Sequence, residues 1–312
     1  YGKPPVEFET LFDVARLKFK ARKLGVSEIL AQSNRVRIGR IDPPESIQMR
    51  MTRIYKGTQY RPVTHQLIVP TPFTGSLGQG PTMKTPHTAT LAGYEIPRLG
   101  MGTMALAIEG RPTNRNQAIE TIHAALDAGV RYLDTAWSYY LPSKPGTGEP
   151  EDMGYGEYLV RDALNSWHGP KDEVLVATKT GWLRTLDNHG NYSWQADARP
   201  ETMIANAKES ARRLGVETLD LLYSHCNDPQ VSYEDQMGAL KQLVDEGVVR
   251  AVGISRIDNK DIEIAHTILG DRLVAVQNQF SPVHRDPDHT METCEQLGLA
   301  FVCWSPLGGF LD

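Results

Sequence analysis

Cysteine and long apolar runs are what this chain has least of. The three cysteines among 312 residues, Cys226, Cys294 and Cys303, are odd in number and lack the paired spacing of metal ligands or a disulfide framework. They fit buried thiols in a reducing, cytoplasmic setting. No stretch approaches the ~20 apolar residues needed to cross a bilayer, which excludes a membrane-spanning helix. The opening residues, Tyr1-Gly-Lys-Pro-Pro, hold no signal-peptide core, so secretion is not expected. Charged residues at 23% and hydrophobic residues at 40% describe an ordinary folded soluble protein. Cys226 adjoins His225, but neighbours on a strand point to opposite faces. A Cys/His nucleophile is therefore not expected there.

Charge is divided unevenly along the chain. The net charge is −5, yet residues 1–87 carry 14 Lys and Arg against 6 Asp and Glu, and the remainder carries 19 against 32. Such a division predicts two parts with different partners. The reading is a small basic α+β domain over 1–70, a Gly/Pro/Thr-rich linker over 71–87, and a large domain over 88–312. In the first part, Phe8, Leu11, Phe12, Ala15 and Phe19 share one face of a helix over 4–24. Strands are expected over 28–30, 35–41 and 66–69, with a polar helix after Pro43-Pro44. The text of 1–18 and the stretch Pro44-Glu-Ser-Ile-Gln-Met-Arg50 resemble the C-terminal domain of bacterial transcription-repair coupling factors, over about residues 1–75. That resemblance implies a regulatory module without an active site. It makes nucleic acid or a repair protein a candidate partner for residues 1–82.

From residue 88 strand and helix alternate. A hairpin over 91–97 precedes strands over 99–104, 130–133, 174–179, 219–225, 249–255, 273–277 and 300–305, with six helices between these seven. The helix over 116–128 stops at Gly129, the helix from Pro200 ends at Gly215, and Ser232-x-x-Asp235 opens another. This spacing predicts a (β/α)₈ TIM-type barrel. The text stops seven residues after the seventh strand, so a barrel truncated there, lacking its eighth strand and last two helices, is the expectation. Met83-Lys-Thr, directly after the linker, reads as the start of a second reading frame, which suggests a fusion.

Four polar residues sit at or just past strand ends: Asp134, Tyr139, Lys179 and His225. In a parallel barrel those ends meet on one face. Reducing a carbonyl by hydride transfer leaves charge on oxygen, where an acid must deliver a proton. A tyrosine hydroxyl, with a reference pKa near ~10, needs a neighbouring ammonium to lower it and a carboxylate to hold that ammonium. A histidine can orient the substrate oxygen. The four residues match these requirements.

Gly129-Val-Arg-Tyr-Leu-Asp-Thr-Ala-Trp-Ser-Tyr139, Ala177-Thr-Lys179 and Asp220-Leu-Leu-Tyr-Ser-His225 are similar to the catalytic segments of aldo/keto reductases. Val252-Gly-Ile-Ser255, Val276-Gln277 and Trp304-Ser-Pro-Leu307 follow in the same order, so the likeness spans 88–312. It implies NAD(P)H-dependent reduction of aldehydes or ketones. Tyr139 would be the acid, Lys179 and Asp134 would tune it, and His225 would position the carbonyl. It also implies NADPH as cofactor, with NADH possible, extended across the barrel mouth near Gly102, Thr103, Asp134, Ser255, Arg256, Gln277, Ser305, Leu307 and Gly308. Arg256 stands where the family more often has Asn. Family contacts to the adenosine 2′-phosphate follow the eighth strand.

Singly, each residue has an ordinary structural explanation, as a packed tyrosine, a turn cap, a core histidine or a tight-turn glycine. Their order across six strand ends favours a site. Trp182 and Trp194 are candidates for an apolar substrate wall, or for loop packing. The insertion over 141–153 is either a rim over the mouth or a surface loop. The competing reading of the chain is a repair-coupling fragment joined to an impaired barrel.

Overall fold

The computed structural model describes residues 28–32, 35–39, 45, 48–49, 59–61, 66–70, 88–142, 153–281, 284–286 and 288–306. The chain divides into two compact units, Tyr1–Met83 and Lys84–Asp312.

In the first unit four strands form an antiparallel sheet. They are β1 (Glu28–Gln32), β2 (Arg35–Gly39), β3 (Gln59–Arg61) and β4 (Gln66–Pro70), in the order β1-β2-β4-β3. The register runs Glu28↔Gly39 to Gln32↔Arg35 between the first two, then Arg35↔Pro70 to Ile38↔Leu67. Arg35-Val-Arg-Ile alternates polar and apolar residues as a strand covered on one face does. Three residues of β3 are too few for such alternation to be read. Glu45, Gln48 and Met49 have helical backbone, where a polar helix was expected. The helix expected over 4–24 and the linker over 71–87 lie outside the described residues.

The second unit opens with a hairpin, β5 (Thr88–Leu91) and β6 (Tyr94–Pro97), paired Leu91↔Tyr94. Its two turn residues, Ala92 (φ 50) and Gly93 (φ 85), are both left-handed. That hand matches the twist of the flanking strands. Seven parallel strands follow: β7 (Met101–Gly102), β8 (Tyr132–Asp134), β9 (Leu175–Thr180) and, beyond a hairpin of β10 (Trp182–Leu186) and β11 (Tyr192–Ala196), β12 (Leu219–Ser224), β13 (Val249–Ser255), β14 (Leu273–Gln279) and β15 (Ala300–Trp304). They pair in the order β7-β8-β9-β12-β13-β14-β15. Six helices connect them: α1 (Arg115–Asp127), α2 (Tyr155–Ser166), α3 (Pro200–Leu214), α4 (Tyr233–Asp245), α5 (Asn259–Leu269) and α6 (Thr290–Leu297). Consecutive helices pack side by side around the sheet. This is a nearly closed TIM-type barrel of seven strands among the described residues.

Local chemistry sets the helix ends. Asn114 and Ser232 cap α1 and α4 by accepting from Asn116 N and Asp235 N, and Asp258 caps α5 through Asp261 N. Each satisfies an amide that the helix leaves unpaired. Pro200 starts α3, and Gly215, left-handed at φ 73, ends it.

Alternation along the strands divides the core in two. Leu133, Leu222, Val252, Ile254 and Val276 face the helices and pack on Ile122, Met203, Leu240 and Ile262. Tyr132, Leu175, Leu221, Tyr223, Ala251 and Ala275 face the barrel interior, closed below by Leu91 and Ile96 of the β5–β6 hairpin. Each fully buried leucine or valine is worth roughly 1.5–3 kcal/mol. Two glycines make this interior possible. A Cβ at Gly253 would lie 2.3 Å from the Tyr223 ring, and one at Gly100 2.3 Å from the Tyr132 ring.

Two local expectations differ from the structure. The strand over 99–104 is only Met101–Gly102, followed by a 3₁₀ turn at Met104–Leu106. The β10–β11 hairpin was not expected at all. It turns at 187–190, where Asp187 Oδ1 accepts from the backbone N–H groups of His189 and Asn191, each at 2.8 Å.

Candidate active site

The barrel topology carries Asp134, Lys179, His225, Ser255, Gln277 and Trp304 to the same end of the sheet, each within two residues of the C-terminal end of its strand. Tyr139 follows β8 by five residues, in a turn where its N–H donates to Ala136 O at 3.1 Å.

The four residues are brought together. The Lys179 ammonium, 1% exposed, donates to Asp134 Oδ1 at 2.5 Å, to Thr135 O at 2.7 Å and to the Tyr139 hydroxyl at 3.4 Å. The Tyr139 and His225 rings meet edge to face with centroids 5.8 Å apart. Asp134 is held from its other side. Gln277 Nε2 donates to Oδ2 at 2.7 Å, and so does the Tyr132 hydroxyl at 3.3 Å. Tyr132 in turn lies 3.3 Å from the Tyr223 hydroxyl. A chain of polar groups thus runs from the barrel centre to Tyr139. Tyr132 and Tyr223 were not anticipated as part of it. The available signal was strand periodicity, which places Tyr132 on the same inward face as Asp134.

Electrostatics assigns protonation. Burial pulls the Lys179 ammonium down, but Asp134 and Tyr139 outweigh it, so the group stays above its usual range. Burial raises the Tyr139 hydroxyl above 10.0, while Lys179 draws it down and Asp134 pushes it up. The ammonium therefore acts in the expected direction, yet desolvation wins in the isolated protein. His225, 4% exposed, is driven well below 6.5 by burial, then by Lys179 and Arg256. It is neutral at neutral pH, and its buried Nδ1 has no hydrogen-bond partner among the described residues. Burial pushes the Cys226 thiol up to about 11; its Sγ faces Gly181 O at 3.8 Å.

An aromatic and cationic ladder borders the cluster. The Arg256 guanidinium lies 4.3 Å from the Trp304 ring centroid and 4.5 Å from that of Trp182. Trp182 stacks on Trp194 at 4.7 Å, and Arg184 covers the far face of that pair, 4.3 Å from Trp194. Trp182 also meets His225 edge-on at 4.8 Å. Trp182 and Trp194 therefore stand beside this cluster, both half-buried. Arg184 pairs with Glu109, and the Tyr140 hydroxyl donates to Arg184 O at 3.1 Å, which pins the β10–β11 hairpin in place.

The residues expected to hold a dinucleotide are placed as follows. Gly102 is exposed, with nothing within 4 Å of a Cβ position. Thr103 is fully buried, and both its N–H and its hydroxyl donate to Asp134 O, at 2.8 and 3.0 Å. Ser255 Oγ donates to Gln277 O at 2.6 Å. Arg256 (φ 57) and Ser305 (φ 50) both take left-handed backbone at strand ends, a strained conformation that concentrates at functional sites. Leu307 and Gly308 lie outside the described residues, as does most of the 141–153 insertion. Beside Arg256 and Trp304 a cavity of about 450 Å³ opens, lined also by Asn227, Asp258, Asp261 and Asn278. Among the described residues no cluster of three His, Cys, Asp or Glu side chains could hold a metal ion, and no helix is long and apolar enough to cross a membrane.

The sequence profile of the Aldo/keto reductase family matches residues 98–312. The chain belongs to the aldo/keto reductase family. An uncharacterised oxidoreductase of Schizosaccharomyces pombe is 32% identical over 223 residues, covering 70% of this chain and 66% of its own. A probable aldo-keto reductase of Glycine max is 31% identical over 218 residues, covering 69% and 57%. The chain thus spans about three-fifths to two-thirds of the length of these relatives. Among solved structures, an aldo/keto reductase from Klebsiella pneumoniae in complex with NADP and acetate matches with a TM-score of 0.55 at 23% identity, covering 70% of this chain and 68% of that one. The family match begins at residue 98 and does not bear on the resemblance of residues 1–75 to the repair-coupling family.

Proposed function

We propose that this chain reduces an aldehyde or ketone to an alcohol at the expense of NAD(P)H. One observation carries the reading: a buried ammonium within hydrogen-bonding distance of both a carboxylate and a tyrosine hydroxyl, with a neutral histidine ring edge-on to that tyrosine's ring.

Tyr139 donates its proton to the carbonyl oxygen, and the Lys179 ammonium stabilises the tyrosinate that remains. Asp134, held by Gln277 and Tyr132, keeps Lys179 in place. His225 is neutral across the physiological range, so it orients the carbonyl oxygen by hydrogen bonding and leaves proton donation to Tyr139. Trp182 and Trp194 form an apolar wall that excludes water from the reacting atoms.

The residues around the mouth suit a nicotinamide dinucleotide. Space is open over Gly102, and Ser255 and Gln277 carry amide-recognising polar groups. Among the described residues the Arg256 guanidinium has no carboxylate partner. Gly102, Ser255, Arg256, Gln277 and Ser305 would hold the cofactor, with Leu307 and Gly308 expected beside them. When bound, NAD(P)H supplies the hydride that reaches the carbonyl carbon. The NADP complex of the Klebsiella pneumoniae protein supports NADPH as first choice. The same proposal places the enzyme in the cytoplasm. It treats residues 1–70 as a separate basic domain joined through 71–87, with an acidic protein surface or nucleic acid as its partner.

Titrating the protein with NADPH while following tryptophan emission, then assaying aldehyde reduction, tests the reading. Saturable binding, with turnover reduced ~10²–10⁴-fold in Tyr139→Phe, is expected. Absence of cofactor binding would overturn it.

A further inference from the structure

Glu157 and Arg213 form an ion pair that the chemistry above does not use. Glu157 lies in the first turn of α2 and is fully buried; Arg213 lies in the last turn of α3 and is 4% exposed. Their nearest approach is 3.3 Å, from Arg213 Nη1 to Glu157 Oε2. Burying two charges costs about as much as their attraction returns, so such a pair is weak evidence for stability. Apolar side chains could fill the same volume.

Arg213 Nε also donates to Glu209 Oε1 at 3.2 Å within α3; what sets the pair apart is where its other contacts lead. Glu157 Oε1 accepts from the Thr178 hydroxyl at 2.6 Å, and Thr178 immediately precedes Lys179 on β9. Arg213 Nη1 reaches Trp137 O at 3.5 Å, and the guanidinium lies 5.0 Å from the Trp137 ring centroid. The Trp137 N–H donates to Lys179 O at 3.1 Å. Thr178, Glu157, Arg213, Trp137 and Lys179 therefore form a closed circuit. Thr178 points outward from the strand and Lys179 inward, so the circuit grips β9 from behind while the ammonium reaches into the site.

Tyr139, two residues past Trp137, is tied to the same frame. Its carbonyl accepts from Gly156 N at 2.9 Å. No side chain fits between them, because a Cβ at Gly156 would lie 2.8 Å from Tyr139 O. Gly154, left-handed at φ 86, admits the Arg213 side chain, which a Cβ there would meet at 2.5 Å.

We propose that Glu157 and Arg213 are a positioning pair that sets the separation between the Lys179 ammonium and the Tyr139 hydroxyl. That separation is 3.4 Å, near the outer limit of a hydrogen bond. A displacement of about 1 Å in either segment would abolish the contact, and displacements of that size cost catalysis ~10²-fold. The chemical role rests on the reductase reading; the geometric role does not.

Carbon-13 NMR of the full chain labelled at tyrosine Cζ, titrated against pH, separates the two. The Tyr139 signal is assigned by its loss in Tyr139→Phe. In Arg213→Met and in the milder, near-isosteric Thr178→Val, the Tyr139 midpoint should rise by about half a pH unit or more as the ammonium recedes, and Arg213→Lys should recover part of the shift. Turnover in these variants should fall at least about tenfold in kcat, with the carbonyl KM little changed. A Tyr139 midpoint unmoved in a folded Thr178→Val protein would overturn the proposal, whether or not Arg213→Met folds. Variants that give the expected midpoint shifts, with a wild-type protein that reduces no aldehyde, would sink the reductase reading and leave the positioning role standing.

Discussion

At the scale of single residues, the site is governed by competition between burial and charge. Tyr139 is raised by desolvation and drawn down by Lys179, so its acid form persists through pH 10. A proton donor is lost only as pH rises through its pKa. The reduction rate should therefore stay level from neutral pH upward and decline on the alkaline side, as a pH–rate profile would show. Lys179→Met should lower the rate at every pH and move that alkaline limb further up. His225 makes a prediction of the opposite sign for stability. Unfolded histidine binds a proton near pH ~6.5, whereas folded His225 stays neutral well below that. The unfolded state then takes up more protons as pH falls below ~6.5, and stability declines there by up to about 1.4 kcal/mol per pH unit. Urea unfolding at several pH values should show that slope in the wild type and a shallower one in His225→Gln. The positions of Asp134, Lys179 and His225 at or beside strand ends were legible from the strand-like runs they close, whereas Tyr139 lies five residues beyond β8, in a turn. The second grip on Asp134 was missed: Gln277 lies 143 residues away and meets it only through sheet order, while Tyr132, two residues away on the same strand face, was signalled by periodicity but not read.

At the scale of elements, short-range chemistry was the most readable. Ser232-x-x-Asp235 announces the start of α4, and Ser232→Ala should cost about 1 kcal/mol, a fall of roughly 2–4 °C in the melting temperature for a domain of this size. Apolar spacing and terminal glycines place α1 and α3 within a residue or two. The β10–β11 hairpin escaped because Trp182–Leu186 shows no clean two-residue alternation and neither strand joins the parallel sheet whose strand–helix rhythm guided the reading. Its stability comes from tertiary partners, namely the Arg184–Glu109 pair and the Tyr140 hydroxyl. Because Trp194 lies beside Tyr139 and against Trp182, Trp194→Ala should raise KM for an aromatic aldehyde severalfold with a smaller change in kcat. Steady-state kinetics with aromatic and short aliphatic aldehydes would check this, and equal effects on both would argue against the wall.

At the scale of the whole molecule, the barrel depends on how its interior is filled. Tyr132 and Tyr223 occupy the centre because Gly100 and Gly253 leave them room. Gly253→Ala should force the Tyr223 ring aside and destabilise the barrel by about 1–3 kcal/mol, the usual cost of overpacking, measurable by urea titration. The Tyr132 hydroxyl meets Asp134, so the same change should also reduce turnover. Sequence alone determined the alternation of strand and helix, the caps, the polar residues at strand ends and the family they resemble, because these follow from local periodicity and residue type. Tertiary structure alone decided that four residues spread over 134–225 share one buried cluster, that desolvation outweighs the ammonium at Tyr139, and that Arg256 lies between Trp182 and Trp304. Those outcomes depend on distances across the barrel and on exclusion of water, and neither is encoded in any one segment.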